Sequence, residues 1–133
     1  MNFRPGVPED WPFVAYGLAQ ILKKCGPMNW TPPDVSAHIA EGRSGIFVCD
    51  DGFVILEVLT EPLSERRYLN VWLAWFKPKA GVRKRKELVA WLDEMREKTD
   101  SHWWEFRSPR QGWKIIEPDC EIHSIIWRRK NGE

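Results

Sequence analysis

The chain has 133 residues, a net charge of +1, 43% hydrophobic and 29% charged residues. That length allows one core without staples, and the composition excludes a disordered chain, so attraction to polyanions must come from a local patch. Cys25, Cys49 and Cys120 are odd in number and never paired as C-x-x-C, which argues against a disulfide framework or zinc knuckle.

Asn2, Phe3, Arg4 and Pro5 read as a short edge strand, broken by Pro5, Gly6 and Pro8. The first residues lack the apolar segment of a signal peptide, and no apolar run approaches the roughly 18 residues of a membrane span. Residues 11–24 read as a helix, with Val14, Gly17, Leu18, Ile21 and Leu22 on one stripe. Glu9 and Asp10 precede it, where negative charge is favoured. Pro12 is acceptable only in its first turn, and Cys25-Gly26-Pro27 stops it. Thr31 then caps a second helix, with Pro32 at the first helical position and Asp34 reaching back. That helix should run to about Ala40 and end at Gly42. With Val35 and Ile39 as its apolar residues, it is expected to be a lid or a surface helix.

Residues 45–50 read as a strand and 53–59 as its return. Asp51-Gly52 between them is a hairpin signal, with Gly52 supplying positive φ. After a polar loop at 61–66, Arg67 or Tyr68 starts a central strand that carries no charge from Leu69 to Phe76. Alternation puts Asn70, Trp72, Ala74 and Phe76 on one face and Leu69, Val71, Leu73 and Trp75 on the other. A strand apolar on both faces should be covered on both. Lys77-Pro78 ends it. Leu88, Trp91, Leu92 and Met95 fall at i, i+3, i+4 and i+7, giving a long helix over 83–99. Residues 102–107 follow as a strand parallel to the central one. Trp103 and Trp104 would put one indole on each of its faces. A turn at 108–112 and an antiparallel pair at 113–117 and 121–129 close the order.

Lys77, Lys79, Arg83, Lys84, Arg85 and Lys86 form a run with no acid among them. It is either a solvated charge run or an anion site. Cations at a helix start oppose the helix dipole, which points to an anion partner for the free N–H groups there. CoA phosphates, nucleic acid or an acidic protein face would serve equally. Glu57 is the one acid inside an otherwise apolar strand. It is a candidate base, or it points to solvent. Tyr68 is the other candidate for proton transfer. His38, His102 and His123 show no ligand spacing, and the cysteines read as buried apolar residues. No metal cluster or Walker loop is readable.

Taken together, Phe3-Arg4-Pro5 before Glu9-Asp10, the strands of 46–76, the loop of 77–86, the helix of 83–99 and Gly112-Trp113 resemble the GNAT superfamily of acyl-CoA-dependent N-acyltransferases. The resemblance covers nearly the whole chain. It implies a single mixed α/β domain over residues 1–133, with a central mixed sheet of about six to seven strands and helices on both faces. It implies acetyl-CoA as cofactor, no metal, and acetyl transfer to an amine by direct attack. CoA would lie on Ala74, Trp75, Phe76, Gly81, Val82, Arg83, Lys84, Arg85 and Lys86, with Trp72, Ala74 and Phe76 flanking the pantetheine groove. Glu57 and Tyr68 would be catalytic.

Two features depart from the family. Its loop reads Arg/Gln-x-x-Gly-x-Gly/Ala, but this loop keeps only Gly81, with Lys84 and Lys86 near the other glycine positions. Ser108 to Gln111 leaves about one turn, without a Tyr, where the family carries a helix. This shortened, basic form resembles GNAT-like proteins of tailed bacteriophages, including an internal virion protein of short-tailed phages. Three expectations follow. The first is an N-acetyltransferase of phage or prophage type, cytoplasmic in the host cell. The second is a catalytically silent virion or assembly protein whose partners are phage structural proteins. The third is an adaptor binding nucleic acid through Lys77 to Lys86. None involves a membrane.

Overall fold

The computed structural model describes residues 2–80 and 84–106. The N-terminal residues form β1 (Arg4–Pro5), which stays short because Pro5 lacks a donor and Gly6 and Pro8 follow. A 3-10 turn at Pro8–Asp10 leads into α1 (Trp11–Cys25). Its stripe is the expected one, with Val14, Gly17 and Leu18 buried. A Cβ on Gly17 would sit 2.4 Å from the Phe53 ring and 2.8 Å from Trp75, so glycine is what lets α1 lie this close to the sheet.

Thr31 caps α2 (Pro32–Ala40) as its sequence predicts. The Asp34 N–H donates to Thr31 Oγ1 at 3.4 Å, and the Thr31 N–H donates to the Asp34 carboxylate at 2.8 Å. Of the expected lid or surface helix, the surface helix is what forms: five of its nine residues are exposed and one is buried. Val35 is fully buried, and Ile39 packs against the same core. Few apolar residues are needed when one of them is driven into the space between α1 and the sheet.

β2 (Gly45–Cys49), β3 (Gly52–Thr60) and β4 (Arg67–Phe76) form an antiparallel set, and β1 pairs with β2 at its edge. The hairpin turn is Asp50-Asp51 rather than Asp51-Gly52, since Cys49 pairs with Gly52. Gly52 is not among the described glycines of positive φ, which are Gly26 and Gly42. Glycine is needed at position 52 for space: a Cβ there would lie 2.1 Å from the Trp75 carbonyl oxygen.

The long helix α3 (Arg85–Lys98) begins two residues later than expected and carries Leu88 and Leu92 into the core. After it, β5 (Trp104–Phe106) pairs parallel to β4, as a strand after a crossover helix should. The sheet order is β1-β2-β3-β4-β5. These five strands, with α1 and α2 on one face and α3 on the other, make the expected mixed α/β fold with a central strand β4 covered on both sides. The turn at 108–112 and the closing pair at 113–117 and 121–129 lie outside the described residues.

The sheet separates two apolar core layers. Under α1 and α2 lie Val14, Leu18, Val35, Phe53, Ile55 and Leu73. Under α3 lie Val54, Leu56, Leu69, Val71, Leu88 and Leu92. Burying a leucine of either layer stabilises the fold by about 1.5–3 kcal/mol. Of the cysteines, Cys25 is exposed at the end of α1, against expectation, because the helix ends there and turns its last residue to solvent; Cys49 is half-buried, and both are free thiols. No helix among the described residues is long and apolar enough to cross a membrane.

Candidate active site

The strict alternation expected for β4 fails at one residue. Ile55 pairs with Leu73 but Leu56 pairs with Val71, so Trp72 is matched to no residue of β3. This β-bulge adds a residue to one strand and reverses the faces beyond it. Leu69 and Val71 therefore face α3, whereas Leu73 and Trp75 face α1 and α2. Trp72 also turns to the α1–α2 side, where its ring lies 4.7 Å from that of His38. Ala74 and Phe76 turn to the α3 side.

A chain of polar side chains sits beside the bulge on the α1–α2 face. Glu57 of β3 pairs across the strands with Asn70 of β4, and Asn70 Nδ2 donates to Glu57 Oε1 at 3.0 Å. Glu57 Oε2 lies 3.8 Å from His38 Nε2, with the Glu57 side chain 16% exposed. His38 Nδ1 is 3.0 Å from Ser44 Oγ. On the other side of Asn70 stands Glu105 of β5, in register with it. The Trp103 Nε1–H donates to Glu105 Oε1 at 3.1 Å. Tyr68, two residues before Asn70, stacks on Trp103 with ring centroids 5.1 Å apart and planes 4° apart. Glu57 and Tyr68, the catalytic candidates, are thus brought to one face. Sequence reading gave His38 no role and did not single out Asn70, Ser44 or Glu105. A usable signal existed for Asn70, the one polar residue between Leu69 and Phe76.

The residues expected to hold CoA divide. Ala74 and Phe76 line an apolar cavity of about 130 Å³, together with Val54, Val71, Leu88, Leu92 and Phe106. Trp75 does not join them, because the bulge sends it among Phe13, Tyr16 and Phe53 under α1. Lys84, Arg85 and Lys86 open the first turn of α3, and with Glu87 they line an open depression of about 510 Å³. Gly81, Val82 and Arg83 lie outside the described residues. The basic run lacks an acid in sequence but meets one in space. Lys84 Nζ donates to the Asp51 carboxylate at 2.6 Å, and the Lys77 N–H donates to the Asp51 carbonyl oxygen at 2.7 Å. The hairpin tip therefore holds both the end of β4 and the approach to α3. Lys77 lies over the Phe13 ring at 5.9 Å. Among the described residues no three His, Cys, Asp or Glu side chains gather as a metal site.

The antiparallel strands β1 to β4, the central strand β4 and the parallel β5 after a crossover helix make a GNAT-like fold. Solved structures with this fold cover nearly the whole chain. A ribosomal-protein-alanine N-acetyltransferase from Brucella melitensis biovar Abortus superposes with a TM-score of 0.73 at 17% identity, covering 98% of this chain and 99% of that one. A GCN5-related N-acetyltransferase from Ralstonia eutropha gives 0.69 at 13% identity, covering 99% of each chain. An acetyltransferase from Trypanosoma brucei gives 0.67 at 16%, covering 98% and 99%. No protein-family model matches the sequence, and no curated protein matches it. At these identities the likeness is one of fold.

Proposed function

We propose that this chain is an acyl-CoA-dependent N-acyltransferase that uses acetyl-CoA. The observation that carries the reading is the position of Glu57, a carboxyl on an interior strand, tied to Asn70 two residues before the bulge of β4. A carboxylate placed so can take a proton from an amine. The neighbours of known fold named above are acetyltransferases, which fits the same chemistry. In this reading Arg85 and Lys86, at the positive end of the α3 dipole, face the CoA phosphates. Lys84 serves as a tie to Asp51 rather than as a phosphate ligand.

The reaction balances as follows. Glu57 takes one proton from the bound ammonium. The freed nitrogen lone pair attacks the thioester carbonyl carbon, a C–N bond forms, and the C–S bond breaks. Of the two protons left on nitrogen, one is lost to solvent and the other stays on the amide, and the leaving thiolate takes a proton, for which the Tyr68 hydroxyl is the candidate donor. His38 beside Glu57 keeps a second titratable group on the proton's path away from the site. The phage-type assignment, the silent virion protein and the nucleic-acid adaptor rest on the sequence alone, and no feature of the structure favours them.

The test is calorimetric titration of acetyl-CoA into the wild type and an Arg85→Ala/Lys86→Ala variant. Binding near the micromolar range, about −8 kcal/mol, with at least roughly tenfold loss in the variant is expected. No binding up to about millimolar, weaker than roughly −4 kcal/mol, would sink the reading.

A further inference from the structure

We propose that Ser44, His38 and Glu57 form a nucleophilic serine site that takes an acyl group from activated esters and thioesters. The proposal goes beyond the transferase reading: it shares Glu57 with it but needs neither CoA nor an amine. A serine hydroxyl is a weak nucleophile until a neighbouring base takes its proton. The end of α2 supplies such a neighbour. Gly42, at φ 76°, closes the helix in the left-handed conformation. Its N–H donates to the Ile39 carbonyl at 3.0 Å, and the Arg43 N–H donates to the His38 carbonyl at 3.1 Å. This pair of bonds is the usual way a helix ends on glycine. It folds the chain back over the last turn of α2, so Ser44 returns to His38.

Ser44 Oγ lies 3.0 Å from His38 Nδ1, within hydrogen-bond reach. The other ring nitrogen, Nε2, faces the Glu57 carboxylate at 3.8 Å. In a neutral imidazole only one nitrogen carries the proton. Negative charge beside Nε2 favours the proton there, which leaves the Nδ1 lone pair for the Ser44 hydroxyl. Serine, imidazole and carboxylate thus follow one another through the two nitrogens of one ring, in the order nucleophile, base and positioning group. The Trp72 ring, 4.7 Å from that of His38, borders the imidazole on the sheet side.

A reagent can reach the serine. Ser44 is half-buried, and Gly42, Arg43 and Gly45 around it are exposed. No described atom lies within 4 Å of where a Cβ on Gly42 would stand. The His38 side chain is 22% exposed, so the base sits at the rim of the core rather than inside it.

The Ser44 oxygen attacks the acyl carbonyl carbon while His38 Nδ1 takes the hydroxyl proton. A bond from that carbon to Ser44 Oγ forms, and its bond to the leaving oxygen or sulfur breaks. The leaving group takes the proton from Nδ1, giving acyl-Ser44 and a free alcohol or thiol. Water then attacks the same carbon and gives a proton to Nδ1. The bond to Ser44 breaks, Oγ takes that proton back, and the carboxylic acid is released.

The experiment treats the full chain with p-nitrophenyl acetate, follows p-nitrophenol release, and locates the acetyl group by peptide mass spectrometry. Acetyl-CoA binding is titrated separately. One acetyl group should appear on Ser44. Ser44→Ala should lose it, and His38→Ala should slow its formation by about 10²-fold or more, with free imidazole restoring part of the rate. Glu57→Gln removes the charge that sets the tautomer and should slow acylation with little change in thermal midpoint. A Ser44 that only ties the loop to α2 would lower the midpoint when substituted and would carry no label in the wild type. Acetyl found only on lysines or on His38 of the wild type overturns the proposal, and this readout decides alone if His38→Ala does not fold. So does equal labelling of Ser44 in the wild type and a folded His38→Ala. An unlabelled Ser44 in a protein that binds acetyl-CoA removes this site and leaves the transferase reading standing. A labelled, His38-dependent Ser44 without acetyl-CoA binding keeps the site and removes that reading.

Discussion

Under α3, the sheet face is closed by Val54, Leu56, Leu69, Val71, Leu88 and Leu92, none of which has a polar side-chain atom. Under α1 and α2, an equally buried layer of Val14, Leu18, Val35 and Phe53 borders Glu57, Asn70 and His38. The same strand, β4, contributes to both. A polar group set into such a layer costs stability unless its partners are complete. Asn70 Oδ1 is left without a donor among the described residues, so the polar layer is not the cheapest way to fill that space. The α3 layer is wholly apolar, including the cavity that Ala74 and Phe76 line. The α1–α2 face departs from it in one cluster, beside the bulge, and departures of that kind concentrate where a protein acts.

This contrast predicts that substitutions on the two faces fail in opposite ways. Glu57→Gln should lower kcat by about 10²- to 10⁴-fold, the usual worth of a positioned base. Its urea midpoint should move little, within about 1 kcal/mol, because the amide can still accept from Asn70. Leu92→Ala on the other face should cost about 2–5 kcal/mol of stability through a cavity that cannot fully collapse. Its kcat, measured on the folded fraction, should stay within a few-fold of wild type. A Glu57→Gln protein with full activity, or a Leu92→Ala protein that is stable but dead, would erase the distinction between the faces.

Much of this frame was legible before the structure. The Thr31–Asp34 capping box, the α1 stripe and the α3 periodicity are local signals, and each element forms within two residues of where its sequence places it. The bulge at Trp72 was not legible. Every residue from Trp72 to Phe76 is apolar, so no polar residue betrays a change of face. That one slip misplaced Leu73 and Trp75 relative to Leu69 and Val71. The Lys84–Asp51 pair was invisible for a different reason, since 33 residues separate its partners and only the hairpin brings them together. His38 looked isolated in sequence because its partners, Ser44 and Glu57, arrive from a loop and from β3. Long-range placement of short-range signals is what sequence spacing does not encode.

Smaller effects should follow from loosening the α1–α2 layer without touching its polar cluster. Thr31→Ala removes the cap of α2 and should cost about 1 kcal/mol, measured by urea unfolding. Because α2 carries His38 over Glu57, KM for the acceptor should rise more than kcat falls. A variant equally stable but with unchanged KM would detach α2 from the site.

The gentlest test concerns the pin at the start of α1. Arg4 donates two hydrogen bonds of 2.7 Å to the Asp10 carboxylate. These bonds foremost, and then the Val7 N–H, hold the Asp10 pKa at about 2. An unfolded aspartate titrates near 3.9, so folding favours the ionised form. The stability this contributes is fully present above about pH 4 and is lost as pH falls through about 2. The pair lies near the surface, so salt should shrink the effect. The urea midpoint of the wild type should therefore exceed that of Asp10→Asn by a constant margin from neutrality to about pH 5, and the margin should close as pH approaches 2. A margin that persists at that pH would mean Asp10 acts through shape rather than charge, and the α1 end of the layer would then be held by packing alone.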